Sequence, residues 1–102
     1  MRIDHGYVMI TGEGKYSPFD FANDLISGAT VLSATGVLTK PDLTTFALTD
    51  VQVSGAIVYA FVPGAQMTQL GDHFVDVTAT VDNAGTLVNE TLKWRRHVWV
   101  PR

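Results

Sequence analysis

The sequence predicts an all-β fold, a sandwich or barrel of short strands, from its composition and from the spacing of its turns. Valine, threonine and isoleucine make up more than a quarter of the 102 residues, and such β-branched side chains favour pleated, half-buried strands. Glycine, proline, asparagine and aspartate recur at short intervals from Tyr16 onward, as is typical of all-β domains. No stretch of ten residues repeats its apolar positions with a helical period, so no substantial helix is predicted.

Residues 1–15 leave two alternatives open, an N-terminal arm or an edge strand. Glycines at positions 6, 12 and 14 surround one short alternating run, Tyr7–Thr11. A minimal sandwich does not need these residues, so they suit an arm that becomes ordered on a partner. If they form an arm, a chain without residues 1–12 should still fold.

Residues 16–102 are predicted to form the domain, including a basic and aromatic C-terminal strand over 93–102. The run Thr30–Leu38 ends at a turn of Lys, Pro and Asp, residues that favour turns. A second run, Phe46–Val53, meets Ala56–Val62 through a Ser-Gly pair that suits a two-residue hairpin loop. Alternation along the last run places Tyr59 beside Ile57 and Phe61 on the face predicted to be buried.

The clearest pattern is a hairpin of Phe74–Val81 with Leu87–Trp94. Small apolar residues alternate with Asp and Thr from position 75 to 82, which indicates a half-buried antiparallel strand. The run Asp82–Gly85 is a strong turn, because Asn and Gly both tolerate left-handed backbone.

Charge is distributed unevenly along the chain. The net charge is −3, yet every acidic residue lies within residues 1–92, whereas residues 93–102 are basic and contain two tryptophans. This segment predicts a final strand with its tryptophans on the core and its arginines in water or paired with carboxylates. Contact with an acidic neighbouring subunit is an alternative, since Trp and Arg dominate interface energetics. An acidic protein is a poor general binder of nucleic acid, so nucleic acid is not a predicted partner.

The sequence predicts no enzyme. None of the serines lies in a hydrolase motif, and His5, His73 and His97 are dispersed along the chain. The local group Asp72, His73 and Asp76 is predicted to be a solvated hairpin edge and not a metal site. No catalytic, cofactor-binding or metal-ligating residue and no small-molecule substrate is therefore predicted.

Size and composition restrict the chain to a single small domain. The absence of cysteine excludes a disulfide framework, a cysteine zinc site and a thiol nucleophile. The longest purely apolar run, seven residues from Ala56 to Val62, is far shorter than the ~20 residues of a membrane-spanning helix. Asp4, His5 and Gly6 interrupt the start, so neither a secretory signal nor a membrane partner is predicted.

The order of these segments resembles small immunoglobulin-like structural proteins of tailed bacteriophages, described as fibre, head-decoration or head–tail proteins. The resemblance rests on four segments that occur in the expected order: Tyr16–Ala22, Gly28–Ala34, Gly55–Val62 and Gly71–Thr86. It implies an antiparallel immunoglobulin-like β-sandwich of about seven or eight strands. It also implies a non-enzymatic part of a virus particle, made in the cytoplasm of a bacterial host.

A protein of this kind is expected to bind other virion proteins in the capsid, connector or tail, as a homo-oligomer or in a symmetric lattice. The candidate contact residues lie in the N-terminal run and in the basic C-terminus: Tyr7, Met9, Lys93, Trp94, Arg95, Arg96 and Trp99. The alternative is a carbohydrate- or receptor-binding module that uses the rings of Trp94, Trp99 or Tyr16.

Overall fold

A computed structural model describes residues 1–85 and 87–101, and within them eight strands form two sheets that pack face to face. The strands are Arg2–Val8 (β1), Lys15–Asp20 (β2), Thr30–Thr39 (β3), Thr45–Ala47 (β4), Val51–Ser54 (β5), Ile57–Val62 (β6), Gly71–Asp82 (β7) and Glu90–Val100 (β8). The helical structure in this part of the chain is limited to two single 3₁₀ turns, Ala22–Asp24 and Gly64–Gln66. The all-β prediction is confirmed.

The larger sheet has the strand order β1-β8-β7-β3-β4, and the smaller sheet has the order β2-β6-β5. Neighbouring strands are antiparallel except β1 and β8, which run parallel. The inner faces of both sheets supply a continuous core that includes Phe19, Phe21, Met9, Leu38 and Val58. Arg102, the last residue of the predicted C-terminal strand, lies outside the described residues. So does Thr86, the last residue of the segment Gly71–Thr86 on which the resemblance rests in part.

Residues 2–8 form an edge strand of the larger sheet. The pairing with β8 is irregular between Asp4 and Tyr7, where Gly6 has a left-handed φ of 59°. A Cβ at this position would lie 2.2 Å from the carbonyl oxygen of His97. Only glycine allows this close approach, and the strand is therefore fixed against β8 at its irregular step.

The predicted strand Phe46–Val53 is wrong as a single element. The structure divides it into β4 in the larger sheet and β5 in the smaller sheet. At the crossing, the Leu48 amide donates to the carbonyl of Gly36 at 2.9 Å and the Asp50 carbonyl accepts from the amide of Phe61 at 2.9 Å. Buried Leu48 fills the core at this point. The chain can change sheets here because the larger sheet accepts a backbone hydrogen bond from the start of the connection and the smaller sheet donates one to its end.

Strand β6 has the predicted alternation, but the predicted buried face is wrong. Val58, Ala60 and Val62 are fully buried, whereas Tyr59 and its same-face neighbours are half-buried on the outside of the smaller sheet. Apolar residues occupy both faces of this strand, so periodicity alone could not distinguish them.

The terminal hairpin is confirmed and is longer than predicted. Strands β7 and β8 pair from Gly71 with Val100 to Val81 with Glu90, and Val75, Val77, Ala79 and Val81 are all buried. Leu87 and Val88 belong to the connecting loop and not to the returning strand. Asn83 closes this loop by donating through Nδ2 to the carbonyl of Val88 at 2.8 Å and to Oε1 of Glu90 at 2.9 Å.

The prediction of a solvated edge for this hairpin is wrong for His73. Its side chain is fully buried on the inner face of β7, with Nδ1 3.2 Å from the carbonyl oxygen of Gly71. Burial lowers the pKa of this imidazole below its ordinary value of 6.5. His73 is therefore a neutral core residue.

This burial predicts a loss of stability in mild acid. Above pH 6.5 the imidazole is neutral in both the folded and the unfolded chain, but below it the unfolded chain binds a proton that the folded chain does not. The free energy of unfolding should therefore fall as the pH drops from 7 toward 5. Urea unfolding followed by circular dichroism measures this change. The slope should flatten in His73→Gln and persist in His5→Gln, since His5 is exposed; equal slopes in both variants would contradict the assignment.

Candidate interaction surface

Strand β8 carries most of the predicted contact residues, and its alternation divides them between two sides of the larger sheet. Trp94, Val98 and Val100 are buried on the inner side. Lys93, Arg95, His97 and Trp99 alternate with them and therefore lie on the outer side. Adjacent basic residues consequently have different surroundings.

Arg96 lies on the inner side and connects the two sheets. Its Nε donates to the carboxylate of Asp4 on β1 at 3.0 and 3.1 Å. Its NH1 donates to Oγ of Ser17 at 2.8 Å and to the carbonyl of Pro18 at 2.5 Å, both on β2. The guanidinium also lies 4.1 Å from the ring centroid of Phe19. Arg96 thus closes the side of the sandwich between the edge strands β1 and β2.

Trp94 belongs to the same internal network. Its indole Nε1 donates to Asp4 at 2.6 Å, and its ring packs edge-on against Phe19 and Phe21 at centroid distances of 5.6 and 5.3 Å. Partial burial of Asp4 opposes ionisation, but the hydrogen bonds from Arg96 and Trp94 outweigh it and hold the pKa of this carboxyl below its ordinary value. Trp94 therefore lies on the core and Arg96 pairs with a carboxylate, as predicted, whereas Trp99 was also predicted to lie on the core and is instead exposed.

Met9 lies in the core on this side of the molecule, and Tyr7 packs against the core. Met9 is fully buried in the core, and its amide donates to the carbonyl of Trp99 at 3.0 Å. Tyr7 is half-buried, with the ammonium of Lys15 4.3 Å from its ring centroid. Met9 presents no side-chain surface to a partner in this fold, since packing encloses it.

The outer side of the larger sheet carries two hydrogen-bonded side-chain pairs between β7 and β8. Arg95 donates to both carboxylate oxygens of Asp76 at 2.7 and 3.0 Å, and these contacts raise the pKa of the guanidinium. His97 Nε2 lies 2.6 Å from Oδ1 of Asp72. The ring of Phe74 lies between these pairs, 4.9 Å from the Arg95 guanidinium and 5.5 Å from the ring of His97. Arg95 and His97 on the outer side of β8 are thus each paired with an aspartate of β7.

One end of this outer side is apolar, and we call it the Trp99 surface. It consists of Trp99, Val8, Leu43, Leu70 and Phe74. Trp99 stands between a hollow of about 510 Å³ that includes Leu43 and Phe74 and a hollow of about 390 Å³ that includes Leu70. Val8 is the register neighbour of Trp99 on β1. A ring between two hollows can pack against apolar side chains on either side.

The turn that presents Leu43 has an unusual conformation. Leu43 is 81% exposed and has a φ of 70°, a left-handed value that is rare for a branched side chain. Asp42 fixes the turn by accepting from the amide and hydroxyl of Thr44 at 3.0 and 2.6 Å, and these bonds lower the pKa of the Asp42 carboxyl. Gln69 donates to the other oxygen of Asp42 at 3.0 Å. The surrounding hydrogen bonds thus hold an apolar side chain outward in a strained backbone.

Sequence reasoning found Trp99 but missed the residues around it. Leu43 and Leu70 lie in connections, and Phe74 lies on the polar face of β7. A detectable signal exists for Leu43, because a large apolar residue is out of place in a turn of Lys, Pro, Asp and Thr. Leu70 and Phe74 have no such signal, since only the folded chain brings them beside Trp99.

The three rings of the predicted carbohydrate platform do not meet. Trp94 is buried in the core, whereas Trp99 and Tyr16 are exposed by 43% and 44%. Tyr16 lies on the outer side of the smaller sheet, packed edge-on against Phe61 at 4.9 Å and bonded to Asp50. The two exposed rings therefore occupy opposite faces of the sandwich.

Within residues 1–85 and 87–101, no three His, Asp or Glu side chains are grouped as metal ligands. In the same part of the chain, no helix has the length and apolarity needed to cross a membrane. Comparison with protein-family models, with curated proteins and with solved structures finds no match to this chain.

Proposed function

We propose that this chain is a non-enzymatic immunoglobulin-like module that attaches to a neighbouring protein through the Trp99 surface. The observation that carries the proposal is the exposed Trp99 ring between two mostly apolar hollows, the larger of which Lys40 and Asp72 also line, beside a leucine held outward in a strained turn. Strained backbone is often retained at functional sites, and buried tryptophans dominate many protein interfaces.

Strand order supports the immunoglobulin-like part of the proposal. In the smaller sheet, the order β2-β6-β5 parallels the order B-E-D that this proposal expects of an immunoglobulin domain. In the larger sheet, the order β8-β7-β3-β4 parallels the expected order G-F-C-C′. The core that a disulfide fills in antibody domains is filled here by aromatic and aliphatic packing around Phe19 and Trp94.

The chemistry of the Trp99 surface indicates a protein partner. Its members are apolar, and the nearby carboxylate of Asp72 is more than half exposed. A partner segment with apolar side chains for the hollows and a Lys or Arg for Asp72 would match this arrangement. The resemblance to tailed-phage structural proteins favours a virus particle, in its capsid, connector or tail, as the assembly that contains this partner.

The test is incorporation into particles, quantified by mass spectrometry of virus particles purified from cells that carry the gene. Trp99→Ala should lower incorporation strongly, since the loss of a hot-spot tryptophan costs ~2 kcal/mol or more, about thirtyfold in affinity. Tyr16→Ala is the matched control, because it removes an equally exposed ring from the opposite face. Equal incorporation of both variants would contradict the Trp99 surface as the contact, and absence of the wild-type chain from particles would contradict the virion role.

Leu43→Gly separates binding from stability in the same assay. Glycine relieves ~1–2 kcal/mol of left-handed backbone strain. Its greater conformational freedom in the unfolded chain costs ~0.5–1 kcal/mol, so the free energy of unfolding should rise by about 0.5 kcal/mol. Incorporation should nevertheless fall, because the side chain beside the larger hollow is gone. Glycan binding on an array that Trp99→Ala abolishes would favour the carbohydrate-binding alternative instead.

A further inference from the structure

In the described part of the chain, four strands are edge strands of the two sheets, and only one of them is both long and free of proline. Strand β4 has three residues and β5 has four, lengths that offer few backbone groups to another strand. Strand β2 has six residues but contains Pro18, which lacks an amide hydrogen. Strand β1 has seven residues and no proline. The edge of β1 is therefore the one most open to strand addition.

Two of the exposed side chains of β1, Ile3 and Val8, are also apolar. Ile3 is the register neighbour of Arg95, and Val8 is that of Trp99, so both lie on the outer side of the larger sheet and both are exposed. Residues five apart normally point to opposite faces of a strand. The irregular step between Asp4 and Tyr7 returns Val8 to the face of Ile3. Two exposed apolar residues thus flank this step on the same side.

We propose that two copies of this chain pair antiparallel through their β1 edges, about a two-fold axis that passes between His5 and Gly6. This register places Ile3 opposite Val8 of the second copy, and Val8 opposite its Ile3. Each copy therefore contributes one member of two apolar cross-strand pairs, the unit that stabilises antiparallel sheets. The larger sheets of the two copies become one continuous sheet.

An identical strand fits this edge better than an unrelated peptide does. In the two-fold register, the irregular step of one copy faces the same step of the other, so the pairing on both sides of it stays aligned. No ionised side chain of β1 faces its own copy, because Asp4 lies opposite Tyr7 and Arg2 lies opposite Met9. Arg2 and Asp4 are in addition matched within their own chain by Asp24 and Arg96. A regular foreign strand would have to distort to follow the step.

The dimer goes beyond the proposed function, because it does not require the Trp99 surface to bind anything. The two-fold axis of such a pairing is perpendicular to the sheet, so the Trp99 surfaces of both copies face the same side. If those surfaces do bind a lattice of neighbours, the dimer attaches at two points and gains avidity.

Sedimentation velocity over roughly 1–500 µM protein, a range that covers micromolar dissociation constants, tests the pairing. The wild-type chain should shift from monomer to dimer mass as concentration rises. Ile3→Glu with Val8→Glu places like charges opposite each other and should weaken the dimer by about tenfold or more. Ile3→Glu with Val8→Lys places opposite charges across the seam and should restore it. These two double variants differ only at position 8.

Each outcome bears on the inference. A wild-type chain that stays monomeric throughout, or a dimer that both double variants weaken equally, would overturn the proposed register. Leu32→Lys, at an exposed residue of β3, which β7 and β8 separate from β1, should leave the dimer unchanged. Particle incorporation that depends on Trp99 while the free chain stays monomeric would refute the dimer and leave the proposed function intact.

Discussion

Removal of residues 1–12 should unfold the chain at room temperature or leave it barely stable. The deletion takes the whole of β1 from the larger sheet and the fully buried Met9 from the core. Loss of a buried methionine side chain costs ~2–5 kcal/mol, and loss of hydrogen bonds to a charged group adds ~1.5–3 kcal/mol each. Domains of this size have only ~5–15 kcal/mol of stability. Far-UV circular dichroism and urea unfolding of the truncated chain measure the result.

This expectation reverses the one derived from the arm alternative, in which the same deletion leaves a folded domain. A control chain with Ile10→Ser changes an exposed residue of the same segment outside β1 and should keep its unfolding midpoint. A truncated chain with an unaltered midpoint would contradict the structural role of β1 and restore the arm.

Replacement of Arg96 by methionine should cost about 3 kcal/mol of stability. The Arg96 side chain is 11% exposed. Its removal leaves Asp4 with Trp94 as its remaining side-chain donor and leaves the buried hydroxyl of Ser17 without the donor it has from Arg96. Breaking a buried ion pair by removing one partner typically costs ~3–5 kcal/mol, and the partial exposure of Asp4 reduces this figure. The free energy of unfolding at pH 7 measures the change.

Arg95→Met is the matched control, because it makes the same substitution one residue earlier. The Arg95 side chain is 40% exposed, and its contact with Asp76 lies on the outer side of the sheet, where ion pairs contribute ~0–1 kcal/mol. Its effect should therefore stay within about 1 kcal/mol. If the two variants lose equal stability, the inward position of Arg96 is wrong.

The local pattern of the sequence was most informative where one face of a strand was polar. The alternation around Val75 and Val77 predicted β7 and its buried face correctly. The same reasoning chose the wrong face of β6, because Val58 and Tyr59 are both apolar and give no contrast between the two sides. It also joined β4 to β5, because the bend between them, at Thr49, contains neither glycine nor proline.

The candidate site was predicted only in part for a related reason. Trp99 was found because tryptophan in a basic segment is conspicuous in any sequence, and Leu43 and Leu70 were missed because they lie in connections far apart along the chain. Their contact with one hollow or the other depends on how the loops meet at the end of the sheet. Such proximity is a property of long-range packing and not of local residue order.

The sequence by itself determined that this protein is a cysteine-free, all-β domain with turns at Pro41 and Asn83 and a terminal hairpin, because strands and turns depend on neighbouring residues. Tertiary structure alone decided that His73 is buried. It also decided the separate roles of Arg95 and Arg96, which are adjacent residues of the same type. Arg95 pairs with Asp76 on the solvent-exposed side of the sheet, whereas Arg96 joins the two sheets. The surroundings of each side chain are fixed only when β1, β2 and β8 come together.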